Sequence, residues 1–333
     1  LEDAEVEEKE AIVRGQMAIL IYNALGTEMN DSDETLAEFL GIEMPEEEIT
    51  ELEVEDVYAE NLKEVVIELS NAKLADEIKL ENKANYGLNR SAKIEAAELV
   101  GDDVVLLVEG NLVKNREYTL TIKGIDREIN DEYKFVARDN SIPAVEDVVV
   151  LGEYGIKVIT SEPVKDPSER DFLIDGRNVA MELEQYGRNI ILTPYYDVEF
   201  DEDAEELEIR ELEDYAGYKS TREVFEIEII EDDEAPEVVN ATFYNKFVTV
   251  EFDKDIYEDS VEAEDGRTRG NASYEEGRRT FYAIEAEKID TNKVRYEFAD
   301  DWDEDNELLI QGVENHSQVA MERTSIVPEE RGK

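Results

Sequence analysis

The chain has 333 residues, enough for two or three domains, and carries 89 acidic against 34 basic residues, a formal net charge of −55. This charge makes nucleic acid and anionic lipid unfavourable partners, and no apolar run reaches the roughly eighteen residues of a membrane span. The absence of cysteine excludes a disulfide framework and thiol chemistry. Cations, a salty medium or a basic partner would screen the charge, and general adaptation to salt or alkali is the simpler explanation of it.

Residues 1–50 differ from the rest of the chain and are predicted to be helical. One apolar stripe ends at Gly26, as expected at a helix C-terminus. The stripe consists of Val13, Met17, Leu20, Ile21, Ala24 and Leu25. A second short helix is predicted from Thr35 to Leu40, and the acidic stretch from Pro45 to Glu53 reads as a linker. Because the chain starts at Leu1 without an initiator methionine, we expect a processed or excised fragment of a longer protein.

From Glu51 onward the apolar residues alternate with polar ones, the pattern of antiparallel strands with one face on a core and one in water. The alternating sets are Tyr118, Leu120 and Ile122; Phe225, Ile227 and Ile229; Val248, Val250 and Phe252; and Val294, Tyr296 and Phe298. The fold class predicted for this part is mainly β, built from antiparallel sandwiches.

A repeat of about ninety residues divides this β region. The tetrapeptide Val54–Val57 returns unchanged at Val145–Val148, and Pro143, Pro236 and Pro328 follow the same period. Such a period suits one β-sandwich domain. We therefore predict a helical segment and linker at 1–50 and three β-sandwich domains at 51–140, 141–234 and 235–330. The joints around Pro143 and Pro236 are short, which predicts a semi-rigid rod of domains.

Calcium is the ligand that the composition favours, because hard cations take several oxygen ligands. The two joints place such oxygens where domains meet, and a cation there would neutralise repulsion. The alternative for each joint is a polar linker without an ion. A third candidate has the D-x-D-x-D spacing but lacks the glycine and final glutamate of an EF-hand loop, so we reject an EF-hand and keep an irregular surface site or an acidic turn. The candidate ligands are Asp139 and Asn140; Asp232, Asp233 and Glu234; and Asp300, Asp301, Asp303 and Asp305.

Catalysis has little support in the sequence. The one histidine, His316, lies in a polar Asn-His-Ser setting and is expected at the surface. No nucleophile elbow, phosphate-binding glycine loop or histidine-rich metal motif occurs. We predict that the chain is not an enzyme.

The segment Val13–Gly26 resembles the second half of a surface-layer homology (SLH) domain. Arg14 stands at the position of the arginine that faces the cell-wall polymer in that family. Two features depart from the family pattern: Val13 replaces the usual threonine, and the first half of the domain is absent upstream. The segments Val54–Leu69 and Glu117–Ile122 are similar to Ig-like repeats of bacterial surface-layer proteins. The resemblance implies tandem Ig-like β-sandwiches in an extracellular, self-assembling surface layer. It also implies lateral contacts with other copies, and a cell-wall polymer bound through SLH domains mostly absent here.

Two other functions stay open at this point. The array could be a spacer or binding region of a cell-surface adhesin or of a wall-anchored polysaccharide enzyme, because fold alone does not fix function. An enzyme would need a deep pocket with two carboxylates in unlike environments. A spacer stays monomeric at any cation concentration, whereas a layer subunit self-associates.

Overall fold

The computed structural model describes residues 52–330, with the exception of 76, 126–128, 130, 196–197 and 265–268. For residues 77 and 78 it describes the backbone but not the side chains. The helices predicted within 1–50 lie outside the described residues. Everything below belongs to the compact unit Glu51–Lys333. We call 51–140, 141–234 and 235–330 the first, second and third modules, and these boundaries stay a prediction.

The first module has seven strands in two sheets. The strands are β1 (Val54–Tyr58), β2 (Glu64–Leu69), β3 (Tyr86–Leu88), β4 (Ile94–Val100), β5 (Asp103–Val108), β6 (Glu117–Ile122) and β7 (Glu132–Val136). Short helical turns lie at Ala72–Leu74 (3₁₀), Glu77–Leu80 (α1) and Lys83–Asn85 (3₁₀). One sheet has the order β1-β2-β5-β4 and the other β3-β6-β7, with every pair antiparallel.

The second module repeats this arrangement. Its strands are β8 (Val145–Gly152), β9 (Gly155–Thr160), β10 (Phe172–Ile174), β11 (Met181–Tyr186), β12 (Asn189–Pro194), β13 (Glu206–Ile209) and β14 (Glu223–Glu226), with a 3₁₀ turn at Glu169–Asp171. The sheets have the orders β8-β9-β12-β11 and β10-β13-β14, which correspond strand for strand to those of the first module.

The third module extends the same plan. Its strands are β15 (Val238–Tyr244), β16 (Phe247–Phe252), β17 (Ala272–Glu276), β18 (Arg279–Tyr282), β19 (Glu285–Asp290), β20 (Lys293–Glu297), β21 (Leu308–Ile310), β22 (Thr324–Ile326) and β23 (Glu329–Glu330), with a 3₁₀ turn at Glu258–Ser260. The order β15-β16-β20-β19 continues at one edge into β23, which pairs parallel to β15, and β18 is added to the sheet β17-β21-β22.

The strand order defines an Ig-like sandwich in each module. In the first two modules, the first, second, fifth and fourth strands form one sheet and the third, sixth and seventh the other, which is the ABED and CFG arrangement of constant-type Ig domains. The third module keeps this arrangement as β15-β16-β20-β19 and β17-β21-β22. Each module has its own buried apolar cluster between its sheets, around Leu120, Leu192 and Phe252 respectively. The mainly β fold class with tandem Ig-like sandwiches is confirmed.

The sequence repeat corresponds to a structural repeat at the first strand of each module. The register of β1 shifts between Val54 and Asp56, and the registers of β8 and β15 shift at the matching places. Asp56 Oδ1 accepts a hydrogen bond from the next amide at 2.8 Å, and Asp147 does the same at 2.9 Å. The repeated tetrapeptide therefore encodes the same β-bulge twice.

The short joints predicted a semi-rigid rod of modules, but the first and third modules also contact each other. Lys293 Nζ in the third module lies 3.4 Å from Glu81 Oε1 in the first. The first module also contacts the second through Arg188 and Glu64, and the second contacts the third through Lys288 and Glu184. Short joints limit slack between neighbouring modules, but they do not set the angle between them.

Among the helices of the described residues, none has the length and apolar character to span a membrane.

Candidate metal centre

Three carboxylates meet in a buried position at the joint between the first and second modules. Asp139 follows β7, Glu162 follows β9, and Asp214 lies in the loop between β13 and β14. One carboxylate oxygen of each lies within 4.8 Å of the others. Asp139 and Asp214 are 0% exposed and Glu162 is 4% exposed. The first joint therefore concentrates up to three negative charges away from water.

Local backbone contacts fix where these side chains lie. Asp214 Oδ1 accepts hydrogen bonds from the amides of Ala216 and Tyr218, both at 2.8 Å, which leaves Oδ2 buried without a hydrogen-bond partner. Neither carboxylate oxygen of Asp139 has a hydrogen-bond partner at normal distance and angle, although the backbone amide of Leu62 is near enough to lower its pKa. The amide of Arg138, one residue earlier, donates to the Ala59 carbonyl at 3.0 Å and holds the joint on the first module. The site is thus preformed by the fold, with free oxygens inside it.

The carboxylates disfavour one another's ionisation. Burial, together with the neighbouring charges of Asp139 and Asp214, raises the pKa of Glu162 to about 8. Burial and the charge of Asp214 raise the pKa of Asp139 to about 6. Without an added positive charge, the cluster therefore holds protons that ordinary carboxylic acids would lose.

The nearby basic side chains have other partners. The Arg188 guanidinium binds Glu64, with Nη2 at 2.7 Å from Oε2 and Nε at 3.0 Å from both carboxylate oxygens. Lys114 Nζ donates to the Tyr218 hydroxyl at 2.8 Å and lies over that ring. Both cations lower the carboxylate pKa values from a distance, but neither forms an ion pair with the three carboxylates.

The arrangement fits a hard divalent cation. Calcium binds oxygen at about 2.4 Å, so two oxygens bound to the same ion lie no more than about 5 Å apart. Three carboxylates supply between three and six of the roughly six to eight oxygens that Ca²⁺ requires, and backbone carbonyls or water supply the rest. A site with carboxylate ligands alone favours Ca²⁺, Mg²⁺ or Mn²⁺ over softer metals.

The second joint has a counter-charge within the chain. Lys254 Nζ lies 2.9 Å from Asp232 Oδ2 and also donates to the Glu234 carbonyl at 2.9 Å. Burial acts to raise the pKa of Asp232, but the hydrogen bonds from Lys254, the Glu234 amide and Asn315, together with the charge of Lys254, outweigh it and lower the pKa. The side chains of Asp233 and Glu234 are exposed. Of the predicted ligands at this joint, the Asp232 carboxylate and the Glu234 backbone carbonyl therefore bind an ammonium group.

The remaining candidate ligands do not converge on a buried position. Asn140 is exposed beside the first joint, and Asp300, Asp301, Asp303 and Asp305 are all exposed. Asp303 Oδ1 accepts from the Asp305 amide at 3.0 Å, as in an acidic turn. Arg14, the candidate contact to wall polymer, lies outside the described residues.

Of the three carboxylates, Asp139 was predicted as a ligand from the sequence, whereas Glu162 and Asp214 were not. The sequence repeat could have revealed them, because Glu162 corresponds to Lys254 of the third module and Asp214 corresponds to Asn315. Alignment of the modules with one another would have shown an acid in the second where the third has a base or an amide.

The prediction that His316 lies at the surface is wrong. His316 is 0% exposed, its ring packs against Tyr257 with centroids 5.8 Å apart, and its carbonyl accepts from the Tyr154 amide at 2.8 Å. Its polar neighbours in sequence, Asn315 and Ser317, make hydrogen bonds with the second joint: Asn315 Nδ2 donates to the Asp232 carbonyl, and the Asp232 amide donates to Ser317 Oγ. The ring itself fills the contact between the second and third modules.

Acidification is expected to destabilise the protein through His316. Burial and the nearby Lys288 lower its pKa to about 4, against the opposing charges of Glu184 and Asp255. Because the unfolded chain binds this proton more readily, stability is full above about pH 6.5 and falls as the pH drops to about 4, by on the order of 3 kcal/mol. Urea midpoints of wild type and His316→Gln at about pH 7.5 and pH 5 measure roughly 2 kcal/mol of this loss, which the variant lacks. Equal losses in both proteins would show that other groups cause it.

No protein-family model matches the chain. Two bacterial proteins are similar to it in sequence. The surface-layer 125 kDa protein of Lysinibacillus sphaericus is 33% identical over 255 residues, which is 74% of this chain and 21% of that protein. The outer cell wall protein of Brevibacillus brevis is 25% identical over 209 residues, 62% of this chain and 20% of that protein. The chain thus spans about a fifth of the length of these relatives.

Solved structures give weaker likenesses. The N-terminal part of the bacterial S-layer protein SbsC aligns with 54% of this chain and 44% of its own at a TM-score of 0.27 and 11% identity. A tandem of titin Ig domains, A164-A165, aligns at a TM-score of 0.21 and 9% identity over 55% of this chain and 97% of its own. These scores are too low to define the fold, which the strand order defines directly.

The fold and repeats define a protein of tandem Ig-like β-sandwiches. Within that class the chain is a sequence relative of bacterial surface-layer proteins, and the resemblance predicted from its residues is confirmed.

Proposed function

We propose that the chain is a structural part of a self-assembling surface layer on the outside of a bacterial cell. The observation that carries this proposal is the 33% identity to a surface-layer protein over 74% of the chain. The extracellular, cell-surface location follows from the same relationship and from the outer cell wall protein that is also similar. The role is architectural, and no catalytic step is assigned to any residue.

The three modules suit this role because they fix one another in place. Each module contacts both of the others through an ion pair in which at least one side chain is largely buried. In the pair of Lys288 with Glu184, at 2.8 Å, the lysine side chain is 1% exposed. A layer subunit needs such internal rigidity, since lateral contacts between copies must recur with the same geometry.

Divalent cations are part of the proposal. A chain with net charge −55 repels its own copies, and neighbouring subunits need counter-charge before they pack closely. Calcium is the proposed ion, as the carboxylate-rich joint suggests. The cell-wall polymer stays a predicted partner, to be bound through SLH domains that are mostly absent from this chain.

Sedimentation velocity tests the proposal against a spacer or adhesin region. We expect the purified chain to form large assemblies as its concentration rises in millimolar calcium, and to return to small species when a chelator is added. A chain that sediments as a monomer at every concentration, with and without calcium, would favour the spacer and contradict self-assembly.

A further inference from the structure

The two joints between modules are built from equivalent positions. In the second module, Ser161 Oγ accepts from the backbone amide that precedes β8, at 3.0 Å. In the third module, Asp253 Oδ1 accepts from the amide that precedes β15, at 2.8 Å. The next residue along the chain is Glu162 in one case and Lys254 in the other. Glu162 and Lys254 therefore occupy the same place in their modules.

The other two members of each joint also correspond. Asp214 Oδ1 accepts from the amides two and four residues further on, both at 2.8 Å, and Asn315 Oδ1 accepts from the matching amides at 3.0 and 2.9 Å. Asp139 and Asp232 each stand four residues before the proline that opens the next module. The set Asp139, Glu162 and Asp214 is thus the counterpart of Asp232, Lys254 and Asn315.

The charges of the two sets differ sharply. At the second joint the Lys254 ammonium pairs with Asp232, and Asn315 Nδ2 donates to the carbonyls of Asp232 and Glu234 at 2.7 and 3.0 Å. One carboxylate, one ammonium and one amide sum to zero charge. The first joint has three carboxylates, and neither the oxygens of the fully buried Asp139 nor Oδ2 of the fully buried Asp214 meet a hydrogen-bond donor at normal distance and angle. A buried group of this kind requires a counter-charge or a donor.

We propose that a divalent cation, with Ca²⁺ as the best match, binds between Asp139, Glu162 and Asp214 and takes the place that the Lys254 ammonium has at the second joint. This proposal gives the position of the cation that the proposed function includes. Ion binding itself does not depend on that function; only the statement that the bound ion supports the surface layer rests on it. Because Asp139 comes from the end of the first module and the other two ligands from the second, the bound ion ties the two modules together.

Calcium titration of the chelator-treated full chain tests the site, by isothermal calorimetry and by the thermal midpoint, in enough sodium chloride to suppress weak surface binding. Wild type is expected to bind one ion at this site and to melt at a higher temperature with calcium. Glu162→Lys supplies the missing ammonium, so its midpoint in chelator should match that of wild type with calcium. The variant should bind this ion at least tenfold more weakly.

Two further variants keep the test decisive if Glu162→Lys fails to fold. Asp139→Asn removes one ligand charge and is expected to lose at least tenfold in calcium affinity. The double variant Lys254→Glu with Asn315→Asp builds three carboxylates at the second joint and should bind an additional ion. Asp303→Asn, in the exposed acidic turn, is the matched control and should titrate like wild type.

An unchanged calcium affinity in both Glu162→Lys and Asp139→Asn would overturn the proposal, since the ion would then act elsewhere on the acidic surface. Absence of calcium binding by wild type would overturn it as well. Failure of the layer proposal looks different: the chain would bind calcium at this site and still sediment as a monomer.

Discussion

Arg188→Ala is expected to destabilise the protein by about 3 kcal/mol, because it leaves a buried carboxylate without its counter-charge. The Glu64 side chain is 5% exposed and receives hydrogen bonds from both Arg188 Nη2 and Asn61 Nδ2, at 2.7 and 2.8 Å. The same carboxylate adds to the negative charge felt by Glu162 at the first joint. Loss of Arg188 therefore removes a contact between modules and increases the repulsion beside it.

The midpoint of urea unfolding measures this effect. Arg188→Lys should recover only part of the loss, because an ammonium does not reproduce the paired contacts of a guanidinium. Arg323→Ala is the matched control: Arg323 lies 3.0 Å from Glu275 with both side chains more than half exposed, and its removal should cost below about 1 kcal/mol. Equal midpoints for the Arg188→Ala and Arg323→Ala variants would show that the contact between the first and second modules contributes little.

Gly155→Ala is expected to open the contact between the second and third modules and to cost about 1–3 kcal/mol. A Cβ added at Gly155 would lie 2.3 Å from His316 Nδ1 and 2.5 Å from His316 Cγ, well inside van der Waals contact. The ring has little room to yield, because it is 0% exposed and packs against Tyr257. Either the β8–β9 hairpin or the loop of His316 must move.

Thermal midpoint and amide hydrogen exchange of the β8–β9 hairpin report this change. Gly87→Ala is the control, since an added Cβ there meets no atom within 4 Å. In a His316→Ala background the cost of Gly155→Ala should fall, because the two closest atoms are gone. A Gly155→Ala protein with wild-type midpoint and exchange would contradict the close packing of these modules.

The strands and their grouping could be predicted from the sequence because each depends on local pattern. Alternation such as that at Tyr118, Leu120 and Ile122 follows from one buried face, and the returning tetrapeptide at Val54 and Val145 encodes the same bulge. Asp139 was found for a related reason, since joint residues between repeats are visible in one dimension.

The rest of the site depends on contacts between distant parts of the chain. Asp214 reaches Asp139 through a loop between two strands, and no spacing rule links these positions. The angle between modules is set by pairs such as Lys293 with Glu81, which come from opposite ends of the β region. His316 shows the same limit, because its polar sequence neighbours face a joint while its ring is buried.

Negative-stain electron microscopy of the purified chain, with millimolar calcium and with a chelator, tests the surface-layer role most directly. We expect sheets, tubes or ordered patches with calcium, and their loss when the chelator is added. Isolated particles under both conditions would contradict the assignment to a self-assembling layer. Ordered sheets that persist in chelator would retain the layer and remove calcium from it.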